Sequence, residues 1–210
     1  PGFRKGKAPR KYIEKIYSEA VFYDDAVNNI FPDNYMEAVK ELAIKQLSDI
    51  IDSLAERITN DYKDSERKLV FVVILKGSIP FATELMKRVT LPLEIEVMKV
   101  SSYGAGTKSS GEIRIHTDLL RDDLPDCDLL IIEDIVDSGR TLARLTQLFE
   151  HRLVGSVKTC TMLDKPSRRE VEFVPDYVGT VVPNEFVVGF GLDYNEKYRR
   201  YNWELVFCEM

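Results

Sequence analysis

The sequence predicts an α/β fold that is doubly wound around a mainly parallel sheet. Two short runs, Leu69–Leu75 and Leu129–Ile132, are apolar without alternation, which is typical of strands buried on both faces of such a sheet. Pro80 stands where the first turn of a helix would follow the first run, and apolar residues at helical spacing follow the second. Strands that alternate with helices favour this fold class, in which ligands bind beyond the carboxyl ends of the strands.

The composition is that of an ordinary globular chain. Its 210 residues, 44% hydrophobic and 30% charged, suffice for one α/β domain with a small additional lobe. The net charge of −6 argues against a nucleic-acid partner, and no apolar run approaches the ~20 residues that cross a membrane. The three cysteines and two histidines form no metal-ligand spacing, so we expect reduced thiols and a cytoplasmic location.

Helices and strands alternate along the rest of the chain. A helix is predicted at about Met36–Tyr62, where apolar residues share one face. Further strands are predicted at Glu94–Val100, Glu112–His116, Ser156–Leu163, Val174–Val182 and Glu204–Cys208. We expect a single domain over residues 1–210, with a core at about 36–164 and a smaller lobe, the hood, built from about 1–34 and 165–200.

The run Leu129–Ile132 ends in a turn rich in acids and small residues. Glu133 and Asp134 follow it directly, and Asp137-Ser138-Gly139-Arg140-Thr141 leads into the next helix. The N–H groups of a first helical turn bind anions, glycine lets the backbone approach a phosphate closely, and the two hydroxyls add donors. A carboxylate pair beside a phosphate suits the two hydroxyls of a ribose. The alternative is an acidic strand end before an ordinary helix, with Asp137 as its N-cap.

This stretch resembles the phosphoribosyl-diphosphate-binding motif of the type I phosphoribosyltransferases, which has an apolar strand, two acids, two apolar residues and Asp-Ser/Thr-Gly-x-Thr. The resemblance implies that family's fold with a small hood lobe, and a Mg²⁺ cofactor. It assigns the phosphoribosyl group to Glu133, Asp134, Asp137, Ser138, Gly139, Arg140 and Thr141. It also implies that Glu133 and Asp134 are metal ligands and that Asp137 exchanges a proton with the purine.

A second stretch, residues 186–195, resembles the 6-oxopurine branch of that family, the hypoxanthine-guanine phosphoribosyltransferases. It reads Phe-Val-Val-Gly-Phe-Gly-Leu-Asp-Tyr-Asn and departs from the family pattern only by Phe190 for tyrosine. The resemblance implies that Phe186 stacks on the purine and that the Val187 backbone pairs with the base edge. It implies that Asp193 lies near the substituent at C2 and helps to hold one Mg²⁺. The alternative for Phe186 and Val187 is a core strand.

Lysines follow two other predicted strands. Lys165 follows Ser156–Leu163, and the resemblance implies that it donates to O6 of the purine and so selects 6-oxo over 6-amino bases. Its alternative is a surface lysine in a turn. Lys76 and Gly77 follow Leu69–Leu75, and the resemblance implies that they bind pyrophosphate after a peptide bond that can be cis without proline. Their alternative is a plain turn between a strand and a helix.

The segment 101–111 is rich in glycine and serine and is either a slack hairpin or a lid. The resemblance favours a lid that closes over the site, with Ser102 and Tyr103 binding pyrophosphate. It also assigns pyrophosphate to Arg199, with Arg200 as the alternative one position on.

Together the resemblances imply an enzyme of purine salvage. It would convert phosphoribosyl diphosphate and a 6-oxopurine base (hypoxanthine, guanine or xanthine) into the purine nucleotide and pyrophosphate, as a homodimer or homotetramer. One alternative is a non-catalytic regulator of the same fold that senses phosphoribosyl diphosphate, and a closer one is an enzyme with another base preference. The acidic balance and the presence of Asp137, Lys165 and Asp193 favour the enzyme.

Overall fold

The computed structural model describes residues 33–102, 113–184, 186–193, 195–197, 199–200 and 206–208. The chain divides into two compact units, residues 1–42 and residues 43–210, and the sheets belong to the second. The described part of the first unit, residues 33–42, is helical. The hood stays a prediction, since residues 1–32 lie outside the described ones.

The described elements run from Asp33 to Cys208. In chain order the elements are α1 (Asp33–Tyr62), β1 (Lys68–Leu75), α2 (Ile79–Met86), β2 (Leu93–Ser102), β3 (Ile113–Thr117), a 3₁₀ turn (Leu124–Asp126), β4 (Cys127–Val136), α3 (Arg140–His151), β5 (Ser156–Asp164), a 3₁₀ turn (Pro166–Arg168), β6 (Tyr177–Val181), β7 (Phe186–Val188) and β8 (Val206–Cys208). None of the described helices is both long enough and apolar enough to cross a membrane.

Six strands form the main sheet in the order β3-β2-β1-β4-β5-β6. All neighbours are parallel except β2 and β3, which pair antiparallel at one edge. The chain leaves β1 toward β2 on one side and returns to β4 on the other, so the strand order reverses between β1 and β4. This confirms the doubly wound, mainly parallel sheet, and it creates at that reversal the crevice where ligands of such folds bind.

Both faces of β1 and of the first part of β4 are buried, which explains their apolar runs without alternation. In β1, Phe71 and Val73 pack in one apolar cluster with α1 and α2, while Val70 and Val72 pack in another with α3. An unbroken apolar strand therefore serves two cores at once. β7 and β8 form a separate antiparallel pair.

One boundary differs from the sequence prediction in a way that concerns the site. β4 does not stop at Ile132 but continues through the acids to Val136, because its ladder with β5 continues, with Glu133 opposite Thr161 and Val136 opposite Asp164. Ladder hydrogen bonds use the backbone alone, so polar side chains do not end them. The carboxylates are thus held on a strand, not on a loose turn.

Candidate active site

Three predicted segments meet at the carboxyl edge of the sheet, because β1, β4 and β5 are parallel neighbours. β1 ends at Lys76 and Gly77, β4 carries the acidic pair and leads into α3, and β5 ends at Lys165. The Leu75–Lys76 peptide bond is cis, as the resemblance implied it can be. The reversal of strand order lies between the first two of these segments.

Two glycines let the segments come into contact. A Cβ on Gly77 would overlap the carboxylate of Asp134, and a Cβ on Gly191 would overlap the carbonyl oxygen of Gly77. The turn after β1 is therefore packed between the acidic pair and the turn that follows β7. No larger residue fits at either glycine without moving the backbone or the carboxylate.

Glu133 and Asp134 are two hydrogen-bonded, partly buried carboxyl groups. Burial, followed by the charge of Asp134, raises the pKa of Glu133 well above its usual range. Burial also raises the pKa of Asp134, against the opposing effects of its hydrogen bonds and the positive charge of Arg199. Oε2 of Glu133 is buried and has no hydrogen-bond partner among the described residues. Such a pair is completed by a cation or by hydroxyl donors from a ligand.

This donor set fits a magnesium ion, since Mg²⁺ takes carboxylate oxygens and commonly keeps only one or two protein ligands beside substrate phosphates. The described residues hold no cluster of three or more acidic, histidine or cysteine side chains that could form a metal cage. Asp193, the third predicted ligand, instead forms an ion pair with Arg199, with 2.6 Å between Oδ1 and Nη2. Arg199 is also close enough to lower the pKa of Asp134, so it is a cation shared by both acids.

The two predicted pyrophosphate cations share one counter-ion, Glu196. Its Oε2 lies 2.8 Å from Nζ of Lys76 and 3.4 Å from Nη2 of Arg199. Arg199 also donates to the carbonyl of Gly191 at 2.8 Å. Glu196 is not predicted as a site residue from the sequence, because an acid three residues before an arginine is an ordinary surface pattern. Only the fold brings Lys76 to it across 120 positions of sequence.

Asp137 lies in the loop between β4 and α3 and does not cap the helix. The helix begins at Arg140, its N-cap is Gly139 at φ 77°, and no side chain caps it. The N-cap alternative for Asp137 is therefore wrong. The exposed carboxylate of Asp137 accepts a hydrogen bond from its neighbour's amide, Ser138 N, at 2.5 Å. Thr141 lies in the first helical turn, and Arg140 forms an ion pair with Glu170 at 2.6 Å.

The base-binding residues are described only in part. Lys165 is half-buried, and its amide donates to the carbonyl of Val136 at 2.8 Å, which places it beside the end of β4. The side chain of Val187 is 5% exposed and belongs to the core, which leaves only its backbone for a base. Tyr103 and the side chains of Ser102 and Phe186 lie outside the described residues, so their roles stay predictions.

The chain is similar to known proteins in sequence and in fold. The family model described as phosphoribosyl transferase domain matches residues 39–195. A bifunctional protein TilS/HprT of Listeria monocytogenes is 52% identical over 154 residues, 73% of this chain, and the chain spans only 23% of that relative's length. A hypoxanthine-guanine phosphoribosyltransferase of Staphylococcus epidermidis is 47% identical over 75% of this chain and 87% of its own. The crystal structure of a hypoxanthine phosphoribosyltransferase from Staphylococcus aureus aligns with TM-score 0.71 and 44% identity over 75% of this chain and 84% of that one.

Proposed function

Since the chain belongs to the hypoxanthine-guanine phosphoribosyltransferase family, we propose that it transfers the 5-phosphoribosyl group from phosphoribosyl diphosphate to a 6-oxopurine base. The products are the purine nucleotide and pyrophosphate, as in purine salvage. The observation that carries the proposal is the meeting of the paired carboxyls, the loop before α3 and Lys76 at one crevice. These are the groups that a ribose, its 5-phosphate and a pyrophosphate require.

The phosphoribosyl group is bound by the end of β4 and the start of α3. The first-turn amides of α3 and the hydroxyls of Ser138 and Thr141 receive the 5-phosphate, at the positive end of the helix dipole. Glu133 and Asp134 accept hydrogen bonds from the ribose hydroxyls. The raised pKa values of Glu133 and Asp134 show that burial and repulsion disfavour their ionised forms. Hydroxyl donors and a cation would relieve that repulsion, which favours binding of a ribose at this pair.

Magnesium completes the site in this proposal. Glu133 and Asp134 would hold the ion, with Asp193 as the further candidate, and the bound Mg²⁺ would supply positive charge for the departing pyrophosphate. Lys76 and Arg199 then add fixed positive charge on the pyrophosphate side. Gly77 lets the backbone approach the same group without a Cβ in the way.

The chain's own residues contribute mostly position and electrostatics. Positive charge develops at the anomeric carbon as pyrophosphate leaves, and in this proposal the negative charge of Glu133 and Asp134 stabilises it. Asp137 takes or returns the proton at the imidazole nitrogen of the purine, and its carboxylate is exposed and not used as a helix cap. Lys165 donates to O6, a contact that a 6-amino base does not offer.

Turnover of hypoxanthine, guanine, xanthine and adenine, each with phosphoribosyl diphosphate and Mg²⁺, tests the proposal. We expect nucleotide from the 6-oxopurines and none from adenine. A Lys165→Gln variant should lose kcat/KM with the 6-oxopurines much more than it loses thermal stability. Tight binding of phosphoribosyl diphosphate without turnover of any base would identify the non-catalytic regulator instead.

The proton-transfer role of Asp137 predicts that Asp137→Asn lowers kcat by ~10²-fold or more. Binding of phosphoribosyl diphosphate should stay within a few fold, because the asparagine oxygen can still accept the amide hydrogen of Ser138. Single-turnover kinetics with both substrates saturating measures the loss. An unchanged rate would leave Asp137 with a binding role only.

We also propose a homodimer or homotetramer in the cytoplasm. The three cysteines are far apart in the sequence, and the reduced thiols that we expect of them suit a reducing compartment. Sedimentation velocity of the purified chain measures the oligomeric state.

A further inference from the structure

Three successive carbonyls, from the last residue of β4 into the loop that follows, accept hydrogen bonds from the segment after β5. The carbonyl of Val136 accepts from the amide of Lys165 at 2.8 Å, and that of Ser138 accepts from the amide of Glu170 at 3.0 Å. Between them, the carbonyl of Asp137 accepts from Nη1 of Arg169 at 2.6 Å. The middle contact is thus the only one of the three that a side chain makes, and so the only one that a substitution can remove.

The guanidinium of Arg169 is held on its other side by Asp164. Its Nη2 donates to Oδ1 of that carboxylate, and the two side chains are 14% and 11% exposed. Asp164 is the last residue of β5 and lies opposite Val136 in the ladder. The stem of Arg169 packs on the loop as well, since a Cβ on Gly139 would lie 2.8 Å from its Cδ. A guanidinium fixed at both ends is a rigid support for the loop.

The supported atom belongs to the peptide unit that also holds the Asp137 carboxylate. The carbonyl of Asp137 and the amide of Ser138 are two ends of one planar peptide. Arg169 binds the oxygen end, and Oδ1 of Asp137 accepts from the nitrogen end at 2.5 Å. The orientation of this peptide therefore sets the direction of the carboxylate.

We propose that Arg169 is a positioning residue for Asp137, acting through the Asp137–Ser138 peptide. The inference rests on the proposed function, because it gives Arg169 its effect through the proton transfer assigned to Asp137. Without the guanidinium, the peptide can rotate and carry the carboxylate out of line with the purine nitrogen. Displacements of about 1 Å in a reacting group can cost ~10²-fold in rate.

A double-mutant cycle with Asp137→Asn tests this coupling. Arg169→Met should lower kcat by ~10- to 10²-fold in the parent chain, while the KM for phosphoribosyl diphosphate changes by less than about threefold. In the Asp137→Asn background the same substitution should lower kcat by less than about threefold, since the carboxylate it positions is gone. Arg169→Lys, which keeps the charge but offers no fork to span both acceptors, should fall between the parent and Arg169→Met.

Arg152→Met is the matched control. Arg152 pairs with both oxygens of Asp118, at 2.8 and 2.6 Å, at the far end of α3 from the loop. Its loss should lower Tm to an extent comparable with Arg169→Met and leave kcat unchanged. Hydrogen exchange at the Ser138 amide, measured without substrates, should accelerate in Arg169→Met and not in Arg152→Met.

The outcomes separate the inference from the proposed function. Equal losses of kcat from Arg169→Met in both backgrounds, or unchanged exchange at Ser138, would overturn the positioning role. If the parent chain turned over none of the bases, the proposed function would fail, and the exchange experiment would still report whether Arg169 orders the peptide. If Arg169→Met does not fold, Arg169→Lys carries the cycle.

Discussion

The carboxyl groups of Glu133 and Asp134 destabilise the folded chain when both are ionised. Burial and mutual repulsion raise the pKa of Glu133 from an ordinary 4.5, so the folded state binds a proton more tightly than the unfolded state does. Stability therefore falls as the pH rises from about that unfolded value through the folded pKa. A site that keeps such a pair does so for the ligand it binds, since function and stability commonly conflict at active sites.

The substitution Glu133→Gln imitates the protonated carboxyl. It should raise Tm at pH 8, with a gain that shrinks as the pH falls toward 4.5, at ~2–4 °C for each kcal/mol in a chain of this size. Differential scanning calorimetry across pH measures it. The control is Glu150→Gln, an exposed position on α3, which should change Tm little at any pH.

The same variant should lose the stabilisation that ligand gives. Mg²⁺ with phosphoribosyl diphosphate should raise the Tm of the parent more than that of Glu133→Gln, because the ligand's cation and hydroxyls relieve the ionised pair. A gain in Tm that is independent of pH would show that ionisation of Glu133 is not what destabilises the folded chain.

Glu196 pairs with both cations to which we assign pyrophosphate, and so it would compete with that ligand. Its carboxylate neutralises Lys76 and Arg199, and the side chain of Glu196 is 66% exposed, so it is free to move away. The positive charge of Lys76, through a hydrogen bond, keeps the pKa of Glu196 below its usual range, so the group is charged at neutral pH.

We therefore expect Glu196→Gln to bind pyrophosphate roughly two- to fivefold more tightly than the parent at low ionic strength. The difference should shrink as salt is added. Isothermal titration calorimetry measures both, with Glu56→Gln on the exposed side of α1 as the control. Weaker binding by Glu196→Gln would show that the acid organises the two cations and does not compete with the ligand.

At the scale of elements, the site depends on a contact between two turns. The turn after β1 and the turn after β7 touch backbone to backbone at Gly77 and Gly191, and Gly191 has φ 98°. The amide of Gly191 donates to the carbonyl of Arg199 at 3.1 Å, so the same turn holds the arginine that we propose binds pyrophosphate. Separating the turns would pull Lys76 and Arg199 apart.

Gly191→Ala should therefore weaken ligand binding as well as the fold. The methyl group of the alanine would overlap the carbonyl oxygen of Gly77. The alanine would also have to adopt a positive φ, which costs an L residue ~1 kcal/mol or more. We expect at least a tenfold loss in affinity for pyrophosphate beyond the loss of stability. Ser53→Gly, which weakens α1 by ~0.5 kcal/mol at an exposed position, is the control for stability alone. Unchanged affinity for pyrophosphate in Gly191→Ala would show that the contact between the turns does not determine the positions of Lys76 and Arg199.

At the scale of the whole molecule, the two ends of the parallel strands differ. The proposed ligand site lies at their carboxyl ends, and a set of stabilising contacts lies at their amino ends. At the amino edge, the buried carboxylate of Asp128 accepts hydrogen bonds from the hydroxyls of Ser65 and Ser156, both at 2.5 Å, and from Arg67 at 3.4 Å. These contacts join the chain before β1 to the starts of β4 and β5. Burial acts to raise the pKa of Asp128, but the hydrogen bonds outweigh it, and the pKa is lowered.

Asp128→Asn should accordingly destabilise the protein at neutral pH without changing its chemistry. A carboxyl whose folded pKa lies below its unfolded value of 3.8 contributes stability that is present above that value and is lost as the pH falls through the folded pKa. We expect a loss of ~1–3 kcal/mol in urea unfolding at pH 7 and a smaller loss at pH 3. The kcat of the folded variant should equal that of the parent, and a reduced kcat would mean that the two edges are coupled.

Much of the fold follows from local patterns. The runs in β1 and β4 could be recognised as strands because burial on both faces leaves no polar alternation, and their helices followed from spacing and from Pro80. The mainly parallel sheet followed from the rule that βαβ units build parallel sheets, whereas the order of its strands came only from the structure. The end of β4 could not be predicted, because a ladder ends where its partner strand ends and not where side chains turn polar.

The sequence by itself determined the family, the fold class and the acidic motif, because these residues are contiguous and their chemistry is local. Tertiary structure alone decided which distant groups act on that motif. Glu196 reaches Lys76, Gly191 reaches Gly77, and Arg169 reaches the carbonyl of Asp137, across separations that no local pattern encodes. The physical reason is that parallel strands gather their carboxyl ends at one edge, so residues far apart in sequence come within hydrogen-bond distance only once the sheet has formed.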